Sequence, residues 1–416
     1  MLVEFSVANY RSIKEKQVFS FEANTSNSKS QNVEEVQLPN KKSLRLVKSA
    51  IIYGANASGK SNVLRALDTF LELVLYSKPI RGGHEIRQYE PFSFATETKD
   101  APTDMGIKFI YQGVLYCYEI SYNRSEILTE TLDYYPKGQA HNLLKRTGGK
   151  TESGLIHKVR LGRSVGNKEI DVFKNHLTLQ KFSNDIPNEL LSSVYLHLIK
   201  WFINTQIGSN TFSSYMSKST DKETLLQMEQ IIMFADTKLS GIAWEDDEIR
   251  GWEDENIKIL RPLGKHIVYN NEGKAEGVTH IPFHLESVGT NRLFDLSQII
   301  LWVLESGGVM VYDELDNSLH PKIVKMLVQL FHSPTTNPNA AQLLFATHDI
   351  TLLDNSLMRT DQIWFTEKNE RGETELYSAQ DFEGIREDIP FDKWYMAGKF
   401  GGTPSIQDIN SIFENA

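Results

Sequence analysis

The sequence predicts an α/β fold built on a mixed β-sheet. Two stretches of the chain support this prediction. Residues 46–53 form an apolar strand pattern, a glycine-rich turn follows, and residues 62–75 have the apolar spacing of a helix. A helix, strand, helix, strand order then returns at 291–306, 308–312, 321–332 and 342–347. Strands that alternate with helices are typical of a sheet with parallel strands. We therefore predict one α/β domain whose two halves are separated in the chain.

The region between the halves follows a different pattern. Strands are predicted at 2–7, 17–22 and within 105–135, and the polar segment 24–32 is predicted to be a mobile loop. Helices are predicted at 187–205 and 221–238, which lack the sustained heptads of a coiled-coil arm. These helices suit a compact lid, although a core helix would show the same apolar composition. The predicted division is an N-terminal part of the α/β domain at 1–135, an insertion of a β-hairpin and helical lid at 136–265, and a C-terminal part of the α/β domain at 266–416.

Composition excludes several classes of protein. The formal net charge of −10 over 416 residues argues against a protein that coats nucleic acid with its whole surface. No apolar run approaches the 18 or so residues of a membrane span, and the N-terminus lacks the apolar block of a signal peptide. The one cysteine, Cys117, cannot form an internal disulfide. We expect a cytoplasmic protein with no membrane contact.

The charge is unevenly distributed along the chain. Residues 137–168 contain one acid, Glu152, against eight cations: Lys137, Lys145, Arg146, Lys150, Lys158, Arg160, Arg163 and Lys168. This stretch could bind the phosphates of DNA or RNA, or an acidic protein partner, and a solvated hairpin would look the same. Residues 244–255 are strongly acidic and carry two tryptophans, which fits either a protein contact or a solvated loop.

Gly54-Ala-Asn-Ala-Ser-Gly-Lys-Ser61 matches the phosphate-binding P-loop pattern in full, between the predicted strand and the predicted helix. The backbone N–H groups of such a loop surround phosphate oxygens at the positive end of the following helix. The lysine would reach the outer phosphates, and Ser61 would offer its hydroxyl to Mg²⁺. The sequence therefore predicts ATP and Mg²⁺ as cofactors of a P-loop core, with nucleotide contacts from Gly54, Asn56, Ser58, Gly59, Lys60, Ser61 and Asn62.

Two later strands end in residues suited to hydrolysis. Gly308-Val-Met-Val-Tyr-Asp-Glu314 ends in two acids, of which Asp313 would hold Mg²⁺ and Glu314 would act as general base toward water. Leu343-Leu-Phe-Ala-Thr-His348 ends in a histidine whose neutral imidazole could contact the γ-phosphate or the attacking water. An acidic pair can also be a surface cap, and a lone histidine is usually structural. The order of P-loop, Asp-Glu strand and His strand favours catalysis by Lys60, Glu314 and His348.

In this order of motifs the chain resembles an ABC-type ATPase head of the RecF/SMC branch. Within that branch it is similar to the short bacterial ATPases, RloA-like and related, that are found with abortive-infection and phage-defence genes. The residues that carry the resemblance lie near both ends of the chain: Asn56 in the P-loop, Asp313-Glu-Leu-Asp-Asn-Ser-Leu-His-Pro321, Asn9-Tyr-Arg-Ser12, and Tyr395-Met-Ala-Gly-Lys-Phe-Gly-Gly-Thr-Pro404. The resemblance is weak over 136–265.

The resemblance implies a signature motif that completes the ATP site of a second copy. Glu286-Ser-Val-Gly-Thr-Asn-Arg292 opens a predicted helix ahead of Asp313, where the signature is expected. It departs from the consensus at Val288 and Thr290, so Ser287 and Gly289 are the residues implied to contact the opposite γ-phosphate. ATP would then close a homodimer or a higher homo-oligomer.

Further roles follow from the same resemblance. Asp316 and Asn317, in the segment called the D-loop, would touch the other protomer. Gln88 is the candidate for the Q-loop glutamine that couples the nucleotide to the lid, and a solvated loop glutamine is the alternative. Arg11 could approach the nucleotide.

Two classes of function remain open. One is a sensor and scaffold ATPase of a bacterial anti-phage defence system, which would control a partner effector of TOPRIM or HNH nuclease type, encoded nearby, through ATP-dependent assembly. The other is a RecF/SMC-like DNA-repair ATPase that clamps DNA. An ABC transporter subunit is a weaker third, because the signature is atypical and Asn9-Tyr-Arg-Ser12 is foreign to transporters. The resemblance favours the defence role.

Overall fold

The computed structural model describes residues 1–76, 83–147, 154–202, 216–217, 220–235, 237–250 and 256–403. In chain order its strands are β1 (Leu2–Ala8), β2 (Gln17–Ser20), β3 (Val33–Gln37), β4 (Ser43–Val47), β5 (Ser49–Gly54), β6 (Thr103–Tyr111), β7 (Val114–Tyr122), β8 (Ile127–Tyr134), β9 (His141–Thr147), β10 (Ile156–Leu161), β11 (Glu169–Phe173), β12 (Met216–Ser217), β13 (Gly241–Arg250), β14 (Asn256–Tyr269), β15 (Ala275–Pro282), β16 (Val309–Tyr312), β17 (Gln342–Ala346), β18 (Ile363–Lys368) and β19 (Thr374–Ser378). Its α-helices are α1 (Lys60–Tyr76), α2 (Lys181–Asn184), α3 (Glu189–Phe202), α4 (Lys222–Phe234), α5 (Val288–Ser306), α6 (Pro321–His332) and α7 (Phe391–Met396).

A five-stranded sheet joins the two ends of the chain. Its strand order is β16-β17-β5-β18-β19. The first four strands are parallel, and β19 pairs with β18 in the antiparallel direction. Because β5 lies between β17 and β18, the early and late parts of the sequence form one mixed α/β unit. The predicted α/β fold with a mixed β-sheet is confirmed.

Alternate side chains of β5 pack into two different cores. Ala50 and Ile52 pack with α1 and with the eight-stranded sheet that covers this face. Ile51 and Tyr53 pack on the opposite face with α5, α6 and α7. The strand is therefore buried on both faces, which explains why it reads as a continuous apolar run rather than an alternating one.

The second large sheet is antiparallel and has the order β11-β10-β9-β8-β7-β6-β1-β2. Its outer strands β9, β10 and β11 lie within residues 141–173, so the stretch that the sequence assigns to an inserted hairpin extends the sheet of the N-terminal part strand by strand. Two smaller sheets are formed by β12, β14, β13 and β15 and by β3 with β4. The predicted boundaries at 135 and 265 stay a prediction.

The helices predicted as a lid pack against the body of the protein. Helix α3 buries Leu191, Val194, Leu198 and Trp201 in the same core as β1 and α1. Helix α4 packs along α5 and buries Met228 and Ile232. Of the two interpretations left open by the sequence, α3 is therefore a core helix. Among the described residues, no helix combines the length and apolarity that a membrane span needs.

Residues 24–32, predicted to be a mobile loop, are held by the C-terminal part of the chain. The fully buried guanidinium of Arg359 donates to the carbonyls of Ser26 (3.1 Å) and Ser28 and to the side chain of Asn24 (2.9 Å). These partners lie 331 to 335 residues apart, so the polar composition of the loop does not indicate the contacts that hold it.

Candidate nucleotide-binding site

The P-loop pattern lies where the sequence places it, between β5 and the first residue of α1. Gly54 has φ +157°, and a Cβ there would lie 2.5 Å from the carbonyl oxygen of Thr366. Gly59 has φ +112°, and its Cβ would lie 2.5 Å from Cγ2 of Thr374. Both positions need glycine because the backbone turns where a neighbouring strand leaves no room.

Strands β18 and β19 hold the loop from the side. The hydroxyls of Ser58 and Thr366 share a hydrogen bond of 2.6 Å, and Thr374 Oγ1 donates to the carbonyl of Ser58 at 2.9 Å. All three side chains are buried. Sequence reasoning missed Thr366 and Thr374, because single threonines at strand positions carry no motif.

The N-terminal motif reaches the same place from the other end of the chain. Asn62 Nδ2 donates to Ser12 Oγ at 2.7 Å, and Ser12 Oγ and Thr374 Oγ1 lie 2.8 Å apart. The backbone N–H of Thr374 also donates to the carbonyl of Ser12 at 2.7 Å. Asn62 is predicted to contact the nucleotide, but its side-chain amide donates to Ser12 and so helps to hold the loop. Asn56, the other predicted asparagine, is exposed.

The side chain of Lys60 folds back into the loop. Its Nζ donates to the carbonyls of Gly54 (2.8 Å) and Ala55 (3.1 Å). Burial lowers the pKa of Lys60, and nearby carboxylates oppose that shift. These carboxylates are those of Asp313, Glu314 and Asp316, which follow the end of β16 and form the acidic strand end. The arrangement places one ammonium between the loop and the acidic strand end.

The acidic strand end fits a magnesium ion. Asp313 Oδ1 is buried and has no hydrogen-bond partner within the described residues. A buried carboxylate oxygen without a partner is costly, and a cation satisfies it. Mg²⁺ usually takes one or two protein oxygens and completes its shell with water and phosphate, so Asp313 with the hydroxyl of Ser61 is a suitable donor set. Glu314 is exposed beside it in the left-handed region, with φ 55°.

His348 follows β17 at the same edge of the sheet. Partial desolvation, followed by the charge of Lys60, lowers the pKa of His348, and the neighbouring carboxylates of Asp316 and Glu314 oppose this. The imidazole is therefore neutral near pH 7. Thr347 Oγ1 donates to Asp316 Oδ1 at 2.6 Å, which fixes the residues after the acidic pair to β17. The structure thus brings Lys60, Asp313, Glu314 and His348 together.

The predicted signature lies at the exposed N-terminus of α5. Ser287 is the N-cap, and its Oγ accepts from the backbone N–H of Thr290 at 3.1 Å. A Cβ on Gly289 would lie 3.0 Å from the carbonyl oxygen of Ser318, so this segment packs beside the D-loop. Val288 is 72% exposed.

Gln88 and Arg11 lie in other contacts. Gln88 Nε2 donates to Glu72 Oε2 at 3.5 Å, and Glu72 lies about 18 Å along α1 from Lys60 at 1.5 Å per residue. The structure therefore does not bring Gln88 to the loop. Arg11 pairs with Glu90 through its Nε and through its backbone N–H.

The C-terminal segment covers the start of the loop. The ring of Tyr395 packs on Tyr53 at 5.6 Å and stacks with Phe365 at 5.7 Å. Its hydroxyl donates to the carbonyl of Gly402 at 3.1 Å, and a Cβ on Gly402 would lie 3.6 Å from Cα of Gly54. The tail motif of the sequence is thus part of the site's wall. Pro404, the last residue of that motif, lies outside the described residues.

Comparisons with known proteins agree with these motifs. A family model described as "AAA domain, putative AbiEii toxin, Type IV TA system" matches residues 49–154 and 204–354, which is more than half of the chain. A search of curated proteins found no match.

Two solved structures similar to this chain are SMC heads. One is the SmcHead bound to the C-winged helix domain of ScpA, with 14% identity, a TM-score of 0.37, and coverage of 91% of this chain and 97% of that chain. The other is the SMC head domain from Thermotoga maritima, with 12% identity, a TM-score of 0.37, and coverage of 91% and 98%. Similarity at this level says nothing about the function of the site, which is argued from the geometry of the site alone.

Proposed function

The chain belongs to the family described as AAA domain, putative AbiEii toxin of a type IV toxin–antitoxin system, and from this premise we propose that it binds ATP with Mg²⁺ at residues 54–62 and hydrolyses it. The placement of Lys60 carries the proposal. Its ammonium donates to two carbonyl oxygens of the loop, and Asp313, whose Oδ1 has no hydrogen-bond partner in the part of the chain that the structure describes, lies close enough to affect its pKa. Lys60 can exchange carbonyl oxygens for phosphate oxygens without moving far, and the loop supplies further N–H donors.

The residues of the site divide the chemistry among them. Ser61 and Asp313 would hold Mg²⁺, which would supply positive charge next to the phosphates. Glu314 orients a water molecule and accepts its proton as that water attacks. Neutral His348 offers a hydrogen bond at the same edge of the sheet.

A second copy of the chain completes the site in this proposal. The N-terminus of α5, with Ser287 and Gly289, is exposed and carries a partial positive charge suited to a γ-phosphate. Leu285 and Val288 flank it and are 67% and 72% exposed. Burying these apolar side chains against a second protomer would stabilise an ATP-bound homodimer.

The proposed role is that of a sensor and scaffold ATPase in an anti-phage defence system, which controls a partner effector by nucleotide-dependent assembly. The family's description as a putative toxin of a toxin–antitoxin system supports it. A DNA-repair clamp of RecF/SMC type is the second candidate. The exposed cations Lys145 and Arg160 on neighbouring strands favour that alternative.

The first test is the solution mass of Glu314→Gln with and without ATP–Mg²⁺, alone and with the product of the adjacent gene. Without a general base the variant keeps ATP bound, so we expect a nucleotide-dependent gain in mass. Lys60→Ala, which lacks the ammonium, is the matched control and should stay at the mass of the free chain. A monomeric Glu314→Gln in every condition would contradict the composite site, and ATP turnover by Lys60→Ala would contradict the loop assignment.

A further inference from the structure

A polar cavity of about 490 Å³ lies on the eight-stranded sheet, among residues of β8, β9 and β10. Its cations are Lys145, Arg160 and Arg163, and none of them forms an ion pair among the described residues. Three cations in one cavity are unexpected in a chain of net charge −10.

The pairing of the strands places two of the cations side by side. Lys145 on β9 lies directly opposite Arg160 on β10, and Thr131 on β8 lies directly opposite Lys145. Directly opposed side chains project from the same face of a sheet, and like charges in this arrangement repel each other. An anion between Lys145 and Arg160 would remove that repulsion.

Two neighbouring acids offset part of the charge of the three cations. Asp133 also lines the cavity, and its Oδ1 accepts from Asn142 Nδ2 at 2.9 Å. Glu169 lies opposite Arg160 on its other side, across β10 and β11, and does not line the cavity. The three cations therefore leave the cavity with a net positive charge. Lys158, two residues before Arg160, lies opposite Asp171 and does not line the cavity.

The turn that carries Arg163 is held close to the sheet. Tyr134 OH donates to Ser164 Oγ at 2.9 Å, and the N–H of Gly162 donates to the carbonyl of Leu143 at 2.9 Å. Gly162 packs so closely on the carbonyl of Asn142 that no Cβ fits there. The third cation is thus held near the first two by the fold.

An aromatic face adjoins the cations. His141 is exposed at the cavity, and its ring lies 5.8 Å from that of Tyr134. Tyr134 in turn stacks with Tyr116 at 5.9 Å and an interplanar angle of 28°. Flat rings beside cations are the combination that binds a base together with its phosphate.

We propose that this cavity binds one nucleotide unit, with its phosphate between Lys145, Arg160 and Arg163 and its base against His141. The site is distinct from the P-loop and does not depend on ATP hydrolysis. Its volume suits one small ligand rather than a long groove. The nucleotide unit comes either from a single-stranded nucleic acid or from a free mononucleotide, since both offer the same chemistry.

The test uses two probes without Mg²⁺: a fluorescein-labelled 15-nucleotide oligo-dT followed by anisotropy, and thymidine 5′-monophosphate followed by calorimetry. We expect the joint substitution Lys145→Ala and Arg160→Ala to weaken binding roughly tenfold or more, because two charged hydrogen bonds are lost. For the strand, the salt dependence of binding should also become shallower. Lys158→Ala, a loss of the same charge on the same strand, should bind as wild type.

Two further variants serve as controls for this experiment. Arg160→Lys keeps the charge and should recover part of the affinity, while Lys60→Ala should bind both probes as wild type because the P-loop is not involved. Binding of the strand alone identifies nucleic acid as the source, and binding of the monophosphate identifies a free nucleotide. The proposal is overturned if neither probe binds, or if the double variant binds as tightly as wild type while unfolding at the same temperature.

Discussion

Ser12 and Thr374 lie 362 residues apart in the chain, and their hydroxyls share a hydrogen bond of 2.8 Å beside the phosphate loop. The amide of Asn62, two residues after Lys60, donates to the same Ser12 oxygen. The start of α1 is therefore tied to both the N-terminal loop and β19. Removing one of these hydrogen bonds should therefore change the affinity of the loop for ATP.

Ser12→Ala should weaken ATP binding. The change leaves the amide of Asn62 and the hydroxyl of Thr374 without their shared partner in a buried place, at a cost of roughly 1–2 kcal/mol in the free energy of unfolding. We expect lower ATP affinity in titration calorimetry and a lower denaturation midpoint. Ser20→Ala, which loses one half-buried hydroxyl that donates to the carbonyl of Val3, is the control. Equal ATP affinity in Ser12→Ala and wild type would show that the tie supports the fold alone.

Tyr395→Phe should loosen the tail from the loop while keeping the packing of the ring. The lost hydrogen bond to Gly402 costs about 1 kcal/mol, which corresponds to a few-fold loss of ATP affinity if the tail shapes the bound state. Tyr269→Phe, at a position that is 59% exposed, removes a hydroxyl that cannot affect the loop. An unchanged dissociation constant for ATP in Tyr395→Phe would show that this hydrogen bond of the tail does not contribute to nucleotide binding.

Asp313→Asn should remove the dependence of ATP binding on Mg²⁺. In wild type, chelation of Mg²⁺ with EDTA should lower both affinity and turnover, because the carboxylate of Asp313 would lose its cation. The amide variant should behave with Mg²⁺ as wild type does without it, and its phosphate release should fall roughly a hundredfold or more. A variant that still responds to Mg²⁺ as wild type does would exclude Asp313 as a ligand.

His332 should make the protein less stable in acid. Burial, with a smaller contribution from Lys48, lowers the pKa of His332 to about 3, and its Nε2 lies 2.7 Å from Ser49 Oγ. In the unfolded chain the imidazole takes up a proton below about pH 6.5, whereas in the folded chain it stays neutral. Protonation therefore favours unfolding, and stability falls as the pH drops from about 6.5 toward 3.

The contribution of His332 between pH 7.5 and pH 5 is about 2 kcal/mol. His332→Gln cannot titrate, so its free energy of unfolding should change less over this interval than that of wild type, even though it starts lower. Urea unfolding at the two pH values measures the difference. The remaining dependence belongs to other groups, among them His197, whose pKa burial also lowers to about 3. An identical pH dependence in the two proteins would contradict a neutral His332 in the folded state.

Local signals in the sequence predicted the elements that carry the motifs. Helix 321–332 was predicted to the residue, because Pro321 opens it and its apolar spacing is regular. The family resemblance with abortive-infection ATPases is confirmed by the family match over 49–154 and 204–354. The roles of Lys60, Asp313 and Glu314 stay predictions, although the structure brings these residues together.

Pairing over long distances could not be predicted. The run 46–53 was predicted as one strand, but it divides at the buried Lys48, because β4 pairs with β3 whereas β5 pairs with β17 and β18. Gln88 was chosen for its place in the sequence, and its contact with Glu72 depends on how the chain folds back. The supports at Thr366 and Thr374 depend on the register of late strands, which no short pattern encodes.

The sheet order has a consequence for how the protein is made. β5 leaves the ribosome early, but both of its neighbours in the five-stranded sheet, β17 and β18, are synthesised roughly 290 or more residues later. A nascent chain therefore carries Lys60 and its glycines with no parallel strand beside them until the last part of the sequence emerges. Chains that stop before β17 therefore lack both parallel neighbours of β5, and we expect such fragments to leave the loop at residues 54–61 unformed.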